Sequence, residues 1–327
     1  MGRTMKSAFI RFSCRVAFRL TIALFVACIL TVIAASLGGL HEVLDLASLA
    51  AFPAAVVAAL AGAVLLIRAP SLVWRVLVIG CLLTTTPVFI AVRGQPSVCR
   101  DRSSALKIAW LNAHNPGAAA PISDWIDAEA PQIVGLAEVG PRSASLRKHL
   151  EKRYPYRLSC LKNGRCSTML YSVLAPASGR SLAHGDPEDR KALSAVYMAI
   201  GAADGTAFDV VALHLSRPLP MGRQASELAK LEAEVDPSPG AIIMGDFNMS
   251  PRMKILQNFA ASRGLTVTRT PQPTWPTELM GRKTKGLWQI DHLLIGKAWD
   301  VAEIRVSPDL GSDHRGYIAT LCRARLH

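Results

Sequence analysis

The stretch Ile242-Ile243-Met244-Gly245-Asp246-Phe247-Asn248 joins a short apolar run to an acid and an amide. Together with Ala241, its first three residues form an apolar run bounded by Gly245, which predicts a buried β-strand. Asp246 and Asn248 follow at the point where the strand ends. The stretch therefore predicts a core strand that delivers polar side chains to the rim of a sheet.

Polar residues follow other predicted strands in the same way. A single acid after a strand is usually an ordinary solvated strand end, and a single histidine is usually a hydrogen-bonded structural residue. Several such residues that all follow apolar strands are the pattern of an active site. The set comprises Asn112 after Leu106–Leu111, Glu138 after Ile133–Ala137, His214 after Phe208–Leu213, and the later segments Ile290-Asp291-His292 and Gly311-Ser312-Asp313-His314.

The remaining pattern alternates short β-like runs with amphipathic helical stretches. Hairpin-like pairs and crossovers together favour a layered α+β domain of about 220 residues, which is long enough to bury a substantial core. The further predicted strands are 168–172, 195–200, 289–295 and 317–321, and the predicted helices are 122–129, 143–152 and 222–235.

These motifs resemble the endonuclease/exonuclease/phosphatase superfamily, which includes DNase I-like nucleases, abasic-site endonucleases, inositol polyphosphate phosphatases and neutral sphingomyelinases. The resemblance covers Leu106 to Leu321 in family order, with support from Leu213-His214-Leu215 and Thr274-Trp275-Pro276. It implies an α+β fold, a four-layer α/β/β/α sandwich of the DNase I-like type. It also implies metal-dependent hydrolysis of a phosphoester.

The resemblance implies a metal site built from oxygen ligands. Glu138 would be the main ligand, with Asn112 beside it and Asp313 near the same site. Carboxylate and amide oxygens suit a hard cation, so Mg²⁺, or Mn²⁺ in its place, is the expected cofactor.

The same resemblance gives roles to the other polar residues. Asp246 would orient or deprotonate the attacking water, and Asn248 would hold the phosphate. His314, paired with Asp291, and His214 would contact phosphate oxygens. An acid beside an imidazole fixes its tautomer and favours its charged form.

Two positions depart from the family pattern. Ala137 stands where relatives often have Gln before the metal-binding Glu. His114 and Asn115 follow Asn112 where relatives carry an acid, which leaves a second metal position in doubt.

The first 92 residues are of a different composition, with Glu42 and Asp45 as the only acids. Three apolar stretches each approach the ~20 residues that a transmembrane helix needs. We therefore predict a membrane anchor at 1–92, a linker at 93–105 and the phosphoesterase domain at 106–327. A cleaved signal peptide is disfavoured, and two spans remain the alternative because the third stretch contains Thr84, Thr85, Thr86 and Pro87. The predicted spans are 20–40, 46–67 and 76–92.

Basic residues before the first stretch and between the second and third favour a cytoplasmic location for both segments. Three spans then place the catalytic domain on the periplasmic side of a bacterial inner membrane. This arrangement looks like the membrane-anchored bacterial branch of the superfamily. The basic residues are Arg3, Lys6, Arg11, Arg15, Arg19, Arg68 and Arg75.

Four cysteines lie in the later domain. Cys160 and Cys166 flank an Asn-Gly turn signal, so they fit a disulfide that closes a hairpin. Cys99 and Cys322 would pair if the first and last strands are antiparallel neighbours. Four reduced thiols are the alternative. There is no Cys-x-x-Cys spacing, which argues against zinc and thioredoxin-type chemistry.

The net charge is +13, and residues 1–92 hold seven Lys and Arg against two acids, so the later domain carries +8. A basic domain suits an anionic phosphodiester, either nucleic acid or a lipid headgroup. A membrane-embedded nuclease-like phosphodiesterase is the leading prediction. The alternatives are a lipid-headgroup phosphodiesterase or phosphatase of the same fold, and a non-catalytic receptor for a phosphorylated ligand. No protein partner can be inferred.

Overall fold

The chain folds as two compact units, Met1–Arg93 and Gly94–His327. The computed structural model describes residues 2–68, 71–90, 99, 105–114, 119–140, 143–160, 166–183, 193–201, 207–236 and 238–324. Most of the predicted linker 93–105, residues 91 and 92 of the third apolar stretch, Asn115 and the predicted turn at Asn163-Gly164 lie outside these ranges.

The first unit is helical in its described part, apart from short turns between the helices. Two of its helices are long and apolar enough to cross a membrane, over Ser13–Ser36 and Ala51–Arg68. Many of their large apolar side chains point outward, for example Leu20, Leu60 and Ile67, which are 64%, 67% and 80% exposed. Besides two 3₁₀ turns at Gly38–Leu40 and Ala47–Leu49, the described α-helices are α1 (Gly2–Ser36), α2 (Glu42–Leu46), α3 (Ala51–Arg68), α4 (Leu72–Leu83) and α5 (Thr86–Ile90).

The prediction of three membrane spans is wrong for the described residues, because only two helices reach the necessary length. The third apolar stretch is divided into α4 and α5, and α4 has 12 residues, which extends over ~18 Å. Pro87 lacks an N–H and its ring clashes with the preceding turn. The hydroxyls of Thr84 and Thr85 donate to the carbonyls of Cys81 and Leu82 at 2.7 Å, which further favours a turn here.

The ends of the first two predicted spans are also shifted. Helix α1 ends at Ser36 rather than Leu40, and α3 begins at Ala51 rather than Leu46. Gly38 and Gly39 disfavour helix continuation after Ser36. His41 then caps α2 by accepting a hydrogen bond at Nδ1 from the Val43 N–H at 3.1 Å.

The second unit contains two six-stranded sheets with helices packed around them, and a separate two-stranded sheet formed by β10 and β11. Sheet A has the strand order β13-β14-β1-β2-β4-β3, and sheet B has the order β5-β6-β7-β8-β12-β9. These two sheets confirm the predicted α/β/β/α sandwich. The strands are β1 (Leu106–Asn112), β2 (Ile133–Ala137), β3 (Tyr156–Ser159), β4 (Met169–Ser172), β5 (Pro176–Ser181), β6 (Ser194–Gly201), β7 (Ala207–His214), β8 (Ile242–Asp246), β9 (Leu265–Val267), β10 (Glu278–Leu279), β11 (Arg282–Lys283), β12 (Asp291–Gly296), β13 (Trp299–Val306) and β14 (Tyr317–Arg323).

In the described part of this unit four α-helices accompany these strands, and the sequence predicted three of them. Apolar residues of the helices Ala119–Glu129 and Ala144–Arg153 pack on the outer face of sheet A, against alternate residues of β1 and β2 such as Leu111 and Leu136. The helices are α6 (Ala119–Glu129), α7 (Ala144–Arg153), α8 (Arg223–Glu234) and the unpredicted α9 (Lys254–Ser262).

The main core lies between the two sheets. Ile108 and Trp110 of β1 point into it from sheet A, and Ile242 and Met244 of β8 belong to the same buried cluster from sheet B. Gly135 allows this close approach, since a Cβ there would lie 2.7 Å from Met244 Sδ and 2.8 Å from the Trp110 ring. The packing of these strands fixes the sheets relative to each other at the rim where the polar residues gather.

Two disulfides are present in the second unit. Cys99 pairs with Cys322 and Cys160 pairs with Cys166, with Cα–Cα distances of 6.1 and 5.4 Å. The first pairing is possible because β1 and β14 are antiparallel neighbours, with Leu106 opposite Leu321.

Candidate active site

Strand register brings the polar residues of both sheets to one rim. In sheet A, β1 and β2 run parallel with Asn112 opposite Ala137, so Asn112 and the following Glu138 lie side by side. In sheet B, β7 and β8 run parallel with His214 opposite Asp246. The antiparallel β12 begins at this rim, with Asp291 opposite Asp246.

Gly245 is required where β7 and β8 lie together. A Cβ at this position would lie 2.6 Å from the main-chain oxygen of Leu213. Because that contact is with backbone, a side chain here would push the strands apart and displace the adjacent Asp246 and His214. The glycine before Asp246 is therefore part of how the site is positioned.

A buried carboxylate and imidazole pair lies at the centre of the rim. His314 Nδ1 is 2.9 Å from Asp291 Oδ2, and the indole Nε1–H of Trp110 donates to Asp291 Oδ1 at 2.8 Å. The other ring nitrogen of His314, Nε2, lies 3.7 Å from Asp246 Oδ2. The ring of His314 thus connects the two acids, with its Nε2 directed toward Asp246.

The electrostatics of this pair favour a charged histidine. Burial lowers the pKa of His314, but the negative charges of Asp291 and Asp246 outweigh burial and raise the pKa to about 10. Burial also raises the pKa of Asp291, and the charge of His314 with the hydrogen bonds from His314, Trp110 and Thr274 brings it below its usual value. The pair is therefore an imidazolium and a carboxylate at neutral pH.

The pKa of Asp246 is raised, whereas that of Asp291 is lowered. Burial and the nearby charge of Asp291 raise its pKa, and the two histidines with the amide of Asn112 only partly oppose this. Asn112 Nδ2 donates to Asp246 Oδ2 at 3.1 Å, and the backbone N–H of Asn248 donates to Asp246 Oδ1 at 2.9 Å. A carboxylate with a raised pKa is the kind that can accept a proton from water near neutral pH.

Glu138 lies on the sheet A side of the same rim. Its Oε1 accepts a hydrogen bond from Asn112 Nδ2 at 3.1 Å and lies 3.8 Å from His214 Nε2, while its Oε2 contacts His114 Nδ1. Burial raises the pKa of Glu138, but hydrogen bonds from His114 and Asn112 and the charge of His214 lower it overall. Glu138 also has a positive φ of 55°, an uncommon conformation for a residue with a side chain.

Two buried oxygen atoms at this rim, Asn112 Oδ1 and Asp313 Oδ1, have no hydrogen-bond partner among the residues that the structure describes. The second oxygen of Asp313 accepts from the Trp275 indole Nε1–H at 3.3 Å. Buried oxygens without a donor are uncommon in folded proteins, and an ion is one way to satisfy them. Asn112, Asp313 and the adjacent carboxylate of Glu138 are a set of oxygen donors that fits a hard divalent cation.

Asn248 lies at the outer side of the cluster. It has a positive φ of 51°, and its Nδ2 donates to the Leu215 carbonyl at 2.9 Å. Gln224 of α8 supports this turn by donating from Nε2 to the carbonyls of Phe247 and Asn248 at 3.1 Å. The turn after β8 is thus held from two sides.

The structure brings all eight predicted site residues to this one rim, and it adds three that sequence reasoning did not assign to the site. Trp110 holds Asp291, Trp275 holds Asp313, and His114 contacts Glu138. Strand alternation could have identified Trp110, which lies two residues before Asn112 and so shares its side of β1. In the sequence, His114 is only a departure from the family pattern, and Trp275 is only part of the Thr274-Trp275-Pro276 motif.

Comparison with known proteins gives a consistent result. The sequence profile of the Endonuclease/Exonuclease/phosphatase family matches residues 109–314. No curated protein matches the chain.

Several solved structures share the fold at low sequence identity. An endonuclease/exonuclease/phosphatase from Beutenbergia cavernae is 19% identical with a TM-score of 0.55, covering 67% of this chain and 72% of that chain. The mannosyl-6-phosphatase of Bacteroides thetaiotaomicron is 15% identical with a TM-score of 0.54, covering 66% and 99%. Danio rerio TDP2, in complex with a single-stranded DNA product, is 16% identical with a TM-score of 0.51, covering 67% and 100%. The profile match spans more than half of the chain, and the chain therefore belongs to the endonuclease/exonuclease/phosphatase family.

Proposed function

We propose that the chain is a divalent-metal-dependent phosphoesterase that hydrolyses a phosphodiester. Hydrolases of its family act on phosphoester bonds. The observation that carries the proposal is the arrangement around Asp246. His314, which is charged and paired with Asp291, lies on one side of it. The buried oxygens of Asn112 and Asp313 that have no donor in the described part of the chain lie at the same rim. Phosphoester hydrolysis needs a group to activate water and cationic groups to offset charge on the phosphate.

The oxygen-rich side of the rim is where we place the cation. Glu138, Asn112 and Asp313 would hold Mg²⁺ or Mn²⁺, which supplies charge stabilisation for the phosphate when bound. Asp246, Asp291 and His314 also have ligand atoms within 4.8 Å of one another. We favour Glu138, Asn112 and Asp313 as the ligands, because this set includes buried oxygens without donors among the described residues. In the other set, His314 and Asp291 already form a hydrogen bond with each other.

The remaining residues have roles that follow from their geometry. Asp246 orients the attacking water and accepts its proton, in keeping with the raised pKa of this acid. Protonated His314 presents its Nε2–H beside Asp246 and donates to a phosphate oxygen, while Asp291 fixes the ring through Nδ1. His214, with Nε2 at 3.7 Å from Asp246 Oδ2, and Asn248 bind the phosphate from the side of sheet B.

We further propose that α1 and α3 anchor the protein in a bacterial inner membrane and that the catalytic unit lies outside the cytoplasm. The exposed apolar side chains of both helices support the anchor. The two disulfides support an oxidising compartment. Two crossings return a chain to the side of its N-terminus, so a location outside the cytoplasm requires either that the N-terminus also lies outside or that the segment Leu72–Val88, which contains α4 and α5, makes a further crossing. Fusing alkaline phosphatase or green fluorescent protein to the C-terminus tests the location, since the first is active only outside and the second fluoresces only inside.

Turnover by the full chain in detergent tests the activity. The substrates are bis-p-nitrophenyl phosphate, plasmid DNA, RNA and phospholipid in mixed micelles with the detergent, each with Mg²⁺, Mn²⁺ or EDTA. Asp246→Asn should abolish metal-dependent turnover. The matched control is Asp236→Asn, because the Asp236 side chain is 99% exposed and lies outside the site.

The outcomes separate the candidate functions. Metal-dependent release of product that Asp246→Asn removes and Asp236→Asn retains supports a phosphoesterase, and the substrate cleaved fastest identifies its class. A folded protein that binds phosphorylated compounds without turnover, and is unaffected by EDTA, is instead a receptor.

A further inference from the structure

Exposed apolar side chains in the second unit are concentrated on two loops. Seven large apolar residues of this unit are exposed in the part that the structure describes, and five of them lie at 219–221 or 279–287. The two outside these loops are Tyr156 and Val173. The five are Leu219 (62% exposed), Met221 (46%), Leu279 (45%), Met280 (94%) and Leu287 (43%).

Both loops are attached to the candidate active site. Residues 216–222 follow β7, which ends at His214, and Ser216 is held by Glu227 of α8 through its N–H and hydroxyl at 2.8 and 2.7 Å. The β10–β11 hairpin begins next to Thr277, whose N–H donates to the Asp313 carbonyl at 2.9 Å and whose hydroxyl donates to the Ser312 carbonyl at 2.7 Å. We call the two loops, 216–222 and 278–287, the apolar rim.

The hairpin tip displays a methionine in a costly conformation. Leu279 pairs with Arg282, so Met280 and Gly281 form a two-residue turn, and both have positive φ values of 50° and 73°. Such turns favour Asn or Asp at the first position, because other side chains are strained there. Met280 nevertheless occupies it and points into solvent. An exposed, strained apolar residue beside an active site indicates a contact with something outside the protein.

The charge around these apolar residues is positive. Residues 278–287 contain Arg282, Lys283 and Lys285 against Glu278, and residues 216–222 contain Arg217 and no acid. Lys283 is partly neutralised by Asp309 at 2.9 Å, whereas Arg217, Arg282 and Lys285 are exposed at the rim. Apolar side chains surrounded by basic ones match the interface of an anionic bilayer, where acyl chains lie beneath phosphate headgroups.

We propose that the apolar rim binds the surface of an anionic lipid bilayer. Nucleic acid also attracts Arg and Lys, but it accommodates apolar side chains only by unstacking its bases. A lipid surface accommodates exposed apolar side chains such as these without that cost. The choice of a bilayer also rests on the proposed anchoring of the chain, which keeps lipid at high local concentration. Binding here would favour a phosphoester of a lipid headgroup as the substrate.

Photo-crosslinking of the full chain in lipid nanodiscs tests this inference. Benzoylphenylalanine replaces Met280 in one variant, and in the matched control it replaces Val173, which is exposed and apolar but lies outside the rim. The variant at Met280 should label phosphatidylglycerol several-fold more than the control. The labelling should fall when phosphatidylcholine is the only lipid. Adding Arg217→Glu, Arg282→Glu and Lys285→Glu should also lower it several-fold, and circular dichroism and a thermal melt verify the fold.

The result that overturns the inference is equal labelling from both positions, or labelling that ignores lipid charge. Labelling of added plasmid DNA in preference to lipid would overturn it in favour of a nucleic-acid surface. Labelling requires no turnover, so Asp246→Asn should retain it. Lipid labelling therefore tests the apolar rim, and turnover separately tests the proposed catalysis.

Discussion

The indole Nε1–H of Trp110 donates to Asp291 Oδ1 at 2.8 Å, across a sequence separation of 181 residues. Trp110 belongs to sheet A and Asp291 to sheet B, so this bond links the two sheets directly beneath the candidate active site. Asp291 uses its other oxygen for His314 at 2.9 Å. The core of the sandwich therefore orients the imidazole of His314 through one carboxylate.

Asp291→Asn should lower turnover with little effect on the fold. An asparagine keeps the volume and can still accept from Trp110, but it removes the negative charge that keeps His314 protonated. We expect turnover to fall by about 10²–10⁴-fold, the range typical of a positioned proton donor. Rates with bis-p-nitrophenyl phosphate and a thermal melt check the prediction. Unchanged turnover in the folded variant would remove Asp291 from the site.

Trp110→Phe should lower both the stability of the fold and the turnover. Phenylalanine retains an aromatic ring between the sheets but cannot donate to Asp291, which leaves a buried carboxylate with one fewer donor. The loss of a hydrogen bond to a charged group corresponds to about 1.5–3 kcal/mol of stability. Urea unfolding should show that loss, and turnover should fall as well. If stability falls but turnover does not, Trp110 supports only the fold.

The sequence predicted the location of the site because its residues follow strands. Apolar runs precede Asn112, Glu138, His214 and Asp246, so these residues lie together if the strands end at the same rim. The parallel pairs β1–β2 and β7–β8 bring the strand ends there. Trp110 could be assigned to the core by its alternation with Asn112. Its bond to Asp291 could not be predicted, because it depends on how the two sheets pack.

The helices of the apolar N-terminal stretches could be predicted less completely from the sequence. Composition identified the apolar segments, but hydropathy does not report where a helix breaks. The threonines and Pro87 turn the third segment at Thr84–Thr85, so α4 is too short to cross a bilayer alone. The short strands β10 and β11 were also missed, because two-residue strands have no measurable periodicity.

His292 should make stability depend on pH in the acidic range. Burial lowers its pKa to about 4, and its neutral ring donates from Nε2 to the Met249 carbonyl at 2.8 Å. An unfolded histidine has a pKa of about 6.5, so below that pH the unfolded state binds a proton that the folded state does not bind until the pH approaches ~4. The stabilising contribution is therefore complete above pH ~6.5 and is lost as pH falls toward ~4.

Urea unfolding of the full chain at several pH values measures this effect. Between pH ~6.5 and ~4, His292 should account for a loss on the order of 3 kcal/mol. His292→Gln should flatten this part of the profile relative to the unsubstituted protein, since glutamine does not titrate. Parallel profiles for the two proteins would show that His292 is not the responsible group.

Divalent cations should stabilise the folded protein through the oxygens of Glu138, Asn112 and Asp313. Two of these residues have buried oxygens, Asn112 Oδ1 and Asp313 Oδ1, for which the described residues supply no donor, so a cation would satisfy both atoms. Because a cation held by this set binds the folded state alone, a concentration a hundredfold above Kd should add about 2.7 kcal/mol. Thermal melts with Mg²⁺, Mn²⁺ or EDTA measure the shift without any need for turnover. Glu138→Gln and Asp313→Asn should lose it and Asp236→Asn should keep it, whereas a shift that survives both site variants would place the cation elsewhere.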